Sequence, residues 1–423
     1  MTDTAGTPSG TDQPEGRTPG PAAGRRSTLG PGAGASAVGR RPTPGPGTGA
    51  SAAGGRTRQR RKRWLRRTAW GTAVFVLAAG GTGWAVYEKL NGNITKDMQA
   101  AEELKRYERE RPTPSAQGAQ NILLIGSDTR AGAGNAKYGR DSGTARSDTT
   151  ILLHLAADRQ SATAVSIPRD LMVDVPSCHK PDGTSTEPVF AMFNHAFEAG
   201  GSACTIRTVE KLTDIRIDHH MVVDFGGFTK MVDALGGVDV CLAEPIDDPD
   251  AHVKLPAGRH RLSGEAALGF VRARKSLGDG SDTERMDRQQ RFLGAVVNKL
   301  RSDDVLLNPV KLYPVLDAAT SSLTTDPGLG NLRGLYDLVR GMRDIPTERV
   351  QFLTVPRAPY ANNANRDQLV EPAAEHLFAQ LRTDAPVAVT PQSDTDKGDE
   401  EAGDSSNPPS TFRGNTAADD GCG

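Results

Sequence analysis

No two cysteines of this sequence stand at CxxC or Cys/His spacing, so nothing indicates a structural zinc site. There is no GxSxG elbow, no HExxH helix and no Walker lysine loop. Those absences remove the serine hydrolases of that type, the zincin metalloproteases and the P-loop nucleotide hydrolases. The run SDTRAGAG (127–134) is glycine-rich but does not match GxGxxG, and it reads as a loop. No internal repeat is visible. Apolar side chains are almost missing from residues 1–55, which are mainly Gly, Pro, Ala, Ser and Thr. Such a composition cannot bury enough surface to offset the entropy of folding, so it reads as disordered.

Charge is missing from residues 68–87, TAWGTAVFVLAAGGTGWAVY. Twenty such residues are enough to cross ~30 Å of hydrocarbon. Trp64, Trp70, Trp84 and Tyr87 stand near the two ends, as interfacial aromatics do. Residues 56–67, RTRQRRKRWLRR, place eight basic side chains directly before the span. The positive-inside rule then puts residues 1–67 in the cytoplasm and the chain after Tyr87 outside the cell. A cleaved signal peptide is the rival reading, and the long basic leader and twenty-residue span argue against it. No cysteine follows the span closely, so a lipoprotein anchor is not expected.

The net charge of −1 hides this asymmetry. The basic run is juxtamembrane, where anionic lipid and topology explain it, so nucleic acid is not an expected partner. The resulting boundaries are a disordered basic leader (1–67), a membrane helix (68–87), a stalk (88–117), an external domain (118–382) and a disordered acidic tail (383–423). An external domain allows disulfides. Cys178 and Cys204 flank one polar segment and form the expected pair, although spacing alone leaves the connectivity of the four cysteines open.

Within the domain, NILLIG, TTILLHLA, ATAVSIP, HMVVDF, LGGVDVCL and VQFLTVP read as strands. Phe190, Phe193 and Phe197 repeat at helical spacing, as do Ile206, Val209 and Leu212. Further helices are expected around 332–342 and 368–381. Strands alternating with helices give an α/β class, a central sheet sandwiched by helices.

Chemistry concentrates at strand ends. Asp128 follows NILLIG, and Asp148 precedes TTILLHLA. Two carboxylates at neighbouring strand ends can hold one Mg²⁺ that shares its other positions with water and phosphate oxygens. Arg130, Arg146 and Arg169 stand in similar places; taken singly, Asp128 reads more readily as a turn residue than as a metal ligand, and Asp170 as an ion-pair partner of Arg169. The stretch FVRARKSLGDGSDTERMDRQQRF (270–292) adds Arg272 and Arg274, two apart and therefore on one side of a strand. Ser281 with Glu284 reads as a capping box, placing Arg285, Arg288 and Gln289 in the first turns of a helix. Guanidinium groups on both arms make a clamp for a polyanion. His195 is the histidine best placed for a role; adjacent His219 and His220 project differently and do not suit one metal.

Taken together, NILLIGSDTR, RSDTTILLHL, VSIPRDLMVDVP, FNHAFEAGG, VDFGGFTKMVDALGGVDV, LPAGRHRLSGEAALGFVRARKS and RMDRQQR resemble the LytR-CpsA-Psr family of cell-envelope enzymes. The resemblance implies a Mg²⁺-dependent phosphotransferase with an apolar pocket for a polyprenyl chain. It would move a glycopolymer from polyprenyl pyrophosphate to a peptidoglycan hydroxyl. Carried over by position, Asp128 and Asp148 would hold the metal. Arg146, Arg169, Arg272, Arg274, Arg285 and Gln289 would grip the pyrophosphate, with Arg130 and Arg288 nearby. Glu284 departs from the pattern, since many members have glycine before the arginine matching Arg285. Two rival functions share these residues, a polyprenyl-pyrophosphate phosphatase and a non-catalytic envelope-binding or regulatory protein.

Overall fold

The computed structural model describes residues 55–115, 118–128, 147–180, 182–274, 282–301, 308–391 and 411–419. The chain divides into two units, residues 1–71 and 72–423. The described part of the first is the opening of helix α1 (Gly55–Asn93), with Trp64 and Trp70 exposed. Residues Arg63–Asn93 of that helix are long and apolar enough to cross a membrane, and none of the apolar stretch is buried.

In the second unit β1 (Thr95–Lys96) is followed by α2 (Met98–Arg106), where the Asp97 carboxylate caps the amide of Ala100 at 2.9 Å. Here the structure corrects the expected stalk. Ala100 and Leu104, one turn apart, are buried in the main core, and β1 pairs with strand Leu323–Thr325. Arg111 forks onto the buried Glu210 carboxylate at 2.7–3.0 Å. The many charges of this stretch conceal one narrow apolar stripe, which is enough to dock a helix once its charges are paired.

Next come β2 (Gln120–Ser127), β3 (Ser147–Leu155), β4 (Ala162–Ile167), β5 (Met172–Val175), β6 (Val189–Met192) and α3 (His195–Thr213). Strands β2, β3 and β4 form an antiparallel meander. They read as apolar runs because Leu123, Leu152 and Val165 pack on one face of the sheet and Ile122, Leu155 and Ala162 on the other. Then follow β7 (His219–Asp224), α4 (Phe225–Ala234), β8 (Val238–Leu242), α5 (Gly264–Arg272) and α6 (Asp282–Arg301). Strand β7 runs parallel to β2, and Val350–Thr354 runs parallel to β4. Among the described residues the main sheet has nine strands, with helices packed on it, so the sandwiched α/β class stands.

Phe190 lies on β6 and Phe193 is fully buried before α3 starts, so the helical spacing expected from Phe190 onward begins only at His195. Cys178 and Cys204 are disulfide-bonded, as expected, with Cα atoms 5.6 Å apart. Helix α3 breaks at Gly200 and Gly201 beside this bond. A Cβ at Gly200 would lie 2.9 and 3.0 Å from the Cβ atoms of Cys204 and Cys178, so only glycine fits against the pair.

The acidic tail is the second correction. Strands Val389–Pro391 and Phe412–Thr416 complete one edge of the main sheet, with Phe412 and Ala417 buried. Asp384 accepts from His154 Nε2 at 3.0 Å, and burial holds the pKa of His154 down despite that partner. Composition averaged over forty residues hides a five-residue strand carrying one anchoring aromatic. Residues 368–381 likewise split into a strand (Asn363–Leu369) and a helix (Ala373–Arg382), because Pro372 sets the helix start.

Candidate functional site

Strands β2 and β3 put Ser127 opposite Ser147, just past a register shift between Gly126 and Ser127. Asp128 and Asp148, each the next residue along, therefore lie at the same end of the sheet. Strand β4 ends one position further across, with Ile167 opposite Thr150. Pro168 stops the strand and hands Arg169 to that same end. The Arg169 guanidinium donates through Nη1 to the Asp148 carboxylate at 3.0 Å and through Nε to Asp170 at 3.3 Å.

Helix α6 closes this end. Its Gln290 donates to the Ser166 and Thr354 hydroxyls at 3.0 and 3.1 Å, fixing its rotation against two strands. That rotation turns Arg285 and Gln289 toward the sheet end. A small cleft results, lined by Asp148, Thr149, Thr150, Ser166, Arg169, Arg285 and Gln289 among others. Arg285 is only 4% exposed, and Gln289 accepts from Thr149 Oγ1 at 3.4 Å. Four side chains singled out in the sequence, from three elements far apart in the chain, thus share one cleft.

The arginines of the 272–274 arm are placed differently from expectation. Residues 264–272 are helical, and the backbone turns extended only at Ala273 (φ −56°, ψ 137°). Ala267, Leu268 and Phe270 are buried at helical spacing, and the Gly264 amide donates to Asp233 at 2.7 Å at the helix start. The apolar run therefore continues a helix and not a strand. Arg272 ends that helix with its guanidinium 4.7 Å from the centre of the Phe225 ring, while Arg274 is exposed and its amide donates to Asp248 at 2.6 Å. Gln289 donates to the Val271 carbonyl at 3.1 Å, which brings Arg272 within one residue of the cleft wall.

Arg288 is buried and donates to the Ala273 carbonyl, so it braces the arm that carries Arg272 and Arg274. Burial lowers its pKa, opposed by Glu284, Asp287 and Asp248. Asp287 faces the other way, and burial raises its pKa to about 6 against the pull of Arg291, Arg357 and Arg288. Arg130, Arg146 and the Ser281 cap lie outside the described residues.

His195 is partly exposed at the start of α3, 4.0 Å from Glu198. His219 and His220 bind separate carboxylates, Asp326 at 3.1 Å and Asp97 at 3.2 Å. Sequence reasoning missed Arg366, whose guanidinium stands 3.7 Å from Asp170; no local motif marks it. Two carboxylates on adjacent strands offer the hard oxygen donors that suit Mg²⁺. No group of three or more potential ligands from His, Cys, Asp and Glu occurs among the described residues. The donor set fits an ion that fills its other positions with water and phosphate oxygens. The apolar runs around Phe228 and Phe292 meet Phe270 in one packed cluster on the α5 side of the cleft.

A family model described as LytR_cpsA_psr matches residues 90–383. A probable cell wall biosynthesis protein, LcpB of Corynebacterium glutamicum, is 37% identical over 281 residues, covering 64% of this chain and 64% of that protein. LcpA of the same organism is 32% identical, covering 67% of this chain and 58% of that protein. The chain thus spans about three fifths of the length of these two relatives. A polyisoprenyl-teichoic acid–peptidoglycan teichoic acid transferase, TagT of Bacillus subtilis, is 29% identical over 73% of this chain and 92% of its own. Among solved structures, TagV of Bacillus subtilis matches 64% of this chain and 99% of its own at 24% identity with a TM-score of 0.51. A Streptococcus agalactiae protein matches 65% and 91% at 20% identity with a TM-score of 0.53. These two structural likenesses speak for the fold.

Proposed function

The chain belongs to the LytR_cpsA_psr family, and on that premise we propose that it is a Mg²⁺-dependent phosphotransferase of the cell wall. Its donor is a glycopolymer, of teichoic acid type or similar, on polyprenyl pyrophosphate, and its acceptor is a peptidoglycan hydroxyl. One observation carries this reading: Asp148, Arg169, Arg285 and Gln289 line a single cleft.

The reaction proposed for that cleft is a transfer at phosphorus. The acceptor oxygen bonds to the phosphorus that bears the polymer, and the bond from that phosphorus to the bridging oxygen breaks. Polyprenyl phosphate leaves, and the hydroxyl proton is lost to solvent. Arg169 and Arg285 are set in place before reaction, so they stabilise the growing charge without reorganisation. Gln289 orients one phosphate oxygen, and Arg288 keeps the Arg272–Arg274 arm in position. Asp128 and Asp148 would hold a Mg²⁺ ion, which would supply neutralisation of the charge that builds on the polyprenyl phosphate leaving group. The same reading makes α1 a single membrane span with the domain outside the cell.

The test incubates the protein with Mg²⁺, lipid-linked glycopolymer and peptidoglycan oligomers. Polymer joined to peptidoglycan supports the proposal. Free phosphorylated polymer alone identifies a phosphatase, and donor binding without turnover identifies a binding protein; either result rejects it.

A further inference from the structure

Two hairpins meet at the segment that follows Arg169. One is β5 and β6; the other joins strands Arg357–Tyr360 and Asn363–Leu369. Both are fastened to residues 169–171. The amides of Phe193 and Asn194 donate to the Leu171 and Arg169 carbonyls at 2.8 and 3.0 Å, and the Asp367 amide donates to Asp170 at 3.1 Å. Arg366 adds its ion pair to Asp170, which is itself bonded to Arg169. The hairpins therefore form a rim that is tied to the cleft through its own arginine.

The chemistry of the rim is unusual for a surface. Phe190 is 51% exposed and its ring centre lies 6.2 Å from that of Tyr360. A shift in strand register falls between Pro359 and Tyr360. Such bulges re-aim a side chain, and here the ring is directed toward Phe190. The tip beside them, residues 361–365, reads Ala-Asn-Asn-Ala-Asn and is exposed throughout, with the Asn362 amide donating to the Tyr360 hydroxyl at 3.1 Å. Two aromatic rings stand next to three uncharged amides, with Asp174 paired to Phe190 across the first hairpin and Arg366 following the tip. The aromatic rings and amides suit a ring with apolar C–H faces and polar edges.

We infer that this rim is a sugar-binding platform, on which Phe190 and Tyr360 stack against pyranose faces while Asn362, Asn363 and Asn365 hydrogen-bond hydroxyl and acetamido groups. It rests on the phosphotransferase reading and deepens it, since a glycan must lie beside the cleft on either side of the transferred phosphorus. Arg366 couples the platform to the cleft through Asp170.

The test uses the full-length chain in detergent and three probes: inorganic pyrophosphate, a peptidoglycan tetrasaccharide and the wall glycopolymer freed of its lipid. Calorimetric titration of the double variant Phe190→Ala, Tyr360→Ala is expected to show at least about tenfold weaker binding of one sugar, from the loss of two stacking rings. Pyrophosphate binding is expected to stay at the wild-type level. Loss for the tetrasaccharide assigns the acceptor strand to the platform, and loss for the freed polymer assigns the donor. Unchanged affinity for both sugars, or binding of neither by the wild type at millimolar concentration, overturns the inference. If the double variant misfolds, Asn362→Ala with Asn365→Ala at the exposed tip is read by the same criteria. Failure of pyrophosphate to bind the wild type counts against the phosphotransferase reading instead.

Discussion

Arg169 reaches from the end of β4 to the Asp148 carboxylate at 3.0 Å, linking the arginine that would grip substrate to the acid that would hold metal. Neither side chain is fully buried, at 22% and 34% exposure, so both remain open to a ligand.

Asp128→Asn and Asp148→Asn are each expected to weaken Mg²⁺ activation and to lower turnover by ~10²–10³. Turnover measured across a Mg²⁺ titration checks this. If either variant keeps the wild-type Mg²⁺ dependence, that carboxylate is structural.

Arg272→Lys and Arg274→Lys keep charge but lose the planar fork, and for Arg272 also the stacking on Phe225. Transfer is expected to fall by ~10² or more with thermal stability near wild type. Transfer at wild-type rates by both variants would show that charge alone suffices and that the clamp is wrong.

The disulfide closes a loop of sequence separation 26. Replacing Cys178 and Cys204 by serine is expected to cost roughly 3 kcal/mol of stability, read from denaturant midpoints in oxidising buffer. Gly200→Ala should destabilise even with the bond intact, because its Cβ meets both cysteine Cβ atoms. A neutral Gly200→Ala would refute that packing argument.

Asp287 supplies a pH signature. Its pKa is raised in the folded state to about 6 from 3.8, so between those values the folded protein binds more protons than the unfolded chain. Its contribution to stability is therefore full below pH 3.8 and falls as pH rises toward about 6. Asp287→Asn is expected to flatten the stability curve over that window. An unchanged curve, followed by thermal unfolding at stepped pH, would remove Asp287 as its source.

Reporter fusions address orientation. Fusions before Thr68 are expected in the cytoplasm and fusions after Gln117 outside, from the eight basic residues at 56–67. A domain found in the cytoplasm would end the cell-wall reading.

Much of the molecule was legible because its signals are local. The charge-free run predicted a membrane-length helix, which α1 contains, and the apolar runs predicted β2, β3 and β4. The helix expected to carry Arg285, Arg288 and Gln289 in its first turns is α6. The acids and arginines at strand ends were visible as residue types, since Asp and Arg beside apolar runs need no knowledge of the partner strands. The disulfide pairing was an expectation that the fold then settled.

Tertiary structure decided what depends on distant partners. Residues 95–111 look like a charged linker until Arg111 meets Glu210 and Leu104 meets the core, which no local pattern reveals. The acidic tail looks foldless until Phe412 finds the edge of a sheet built some 60 residues earlier, at Val350–Thr354. The arm at Arg272 turned out helical because the packing of Phe270 against Phe292 outweighs the strand-like look of its sequence. The sequence by itself determined which groups carry charge and where the chain can cross a bilayer. Only the packed sheet decided which of those charges meet, because a few long-range contacts set the register of β2 on β3 and the rotation of α6 on both.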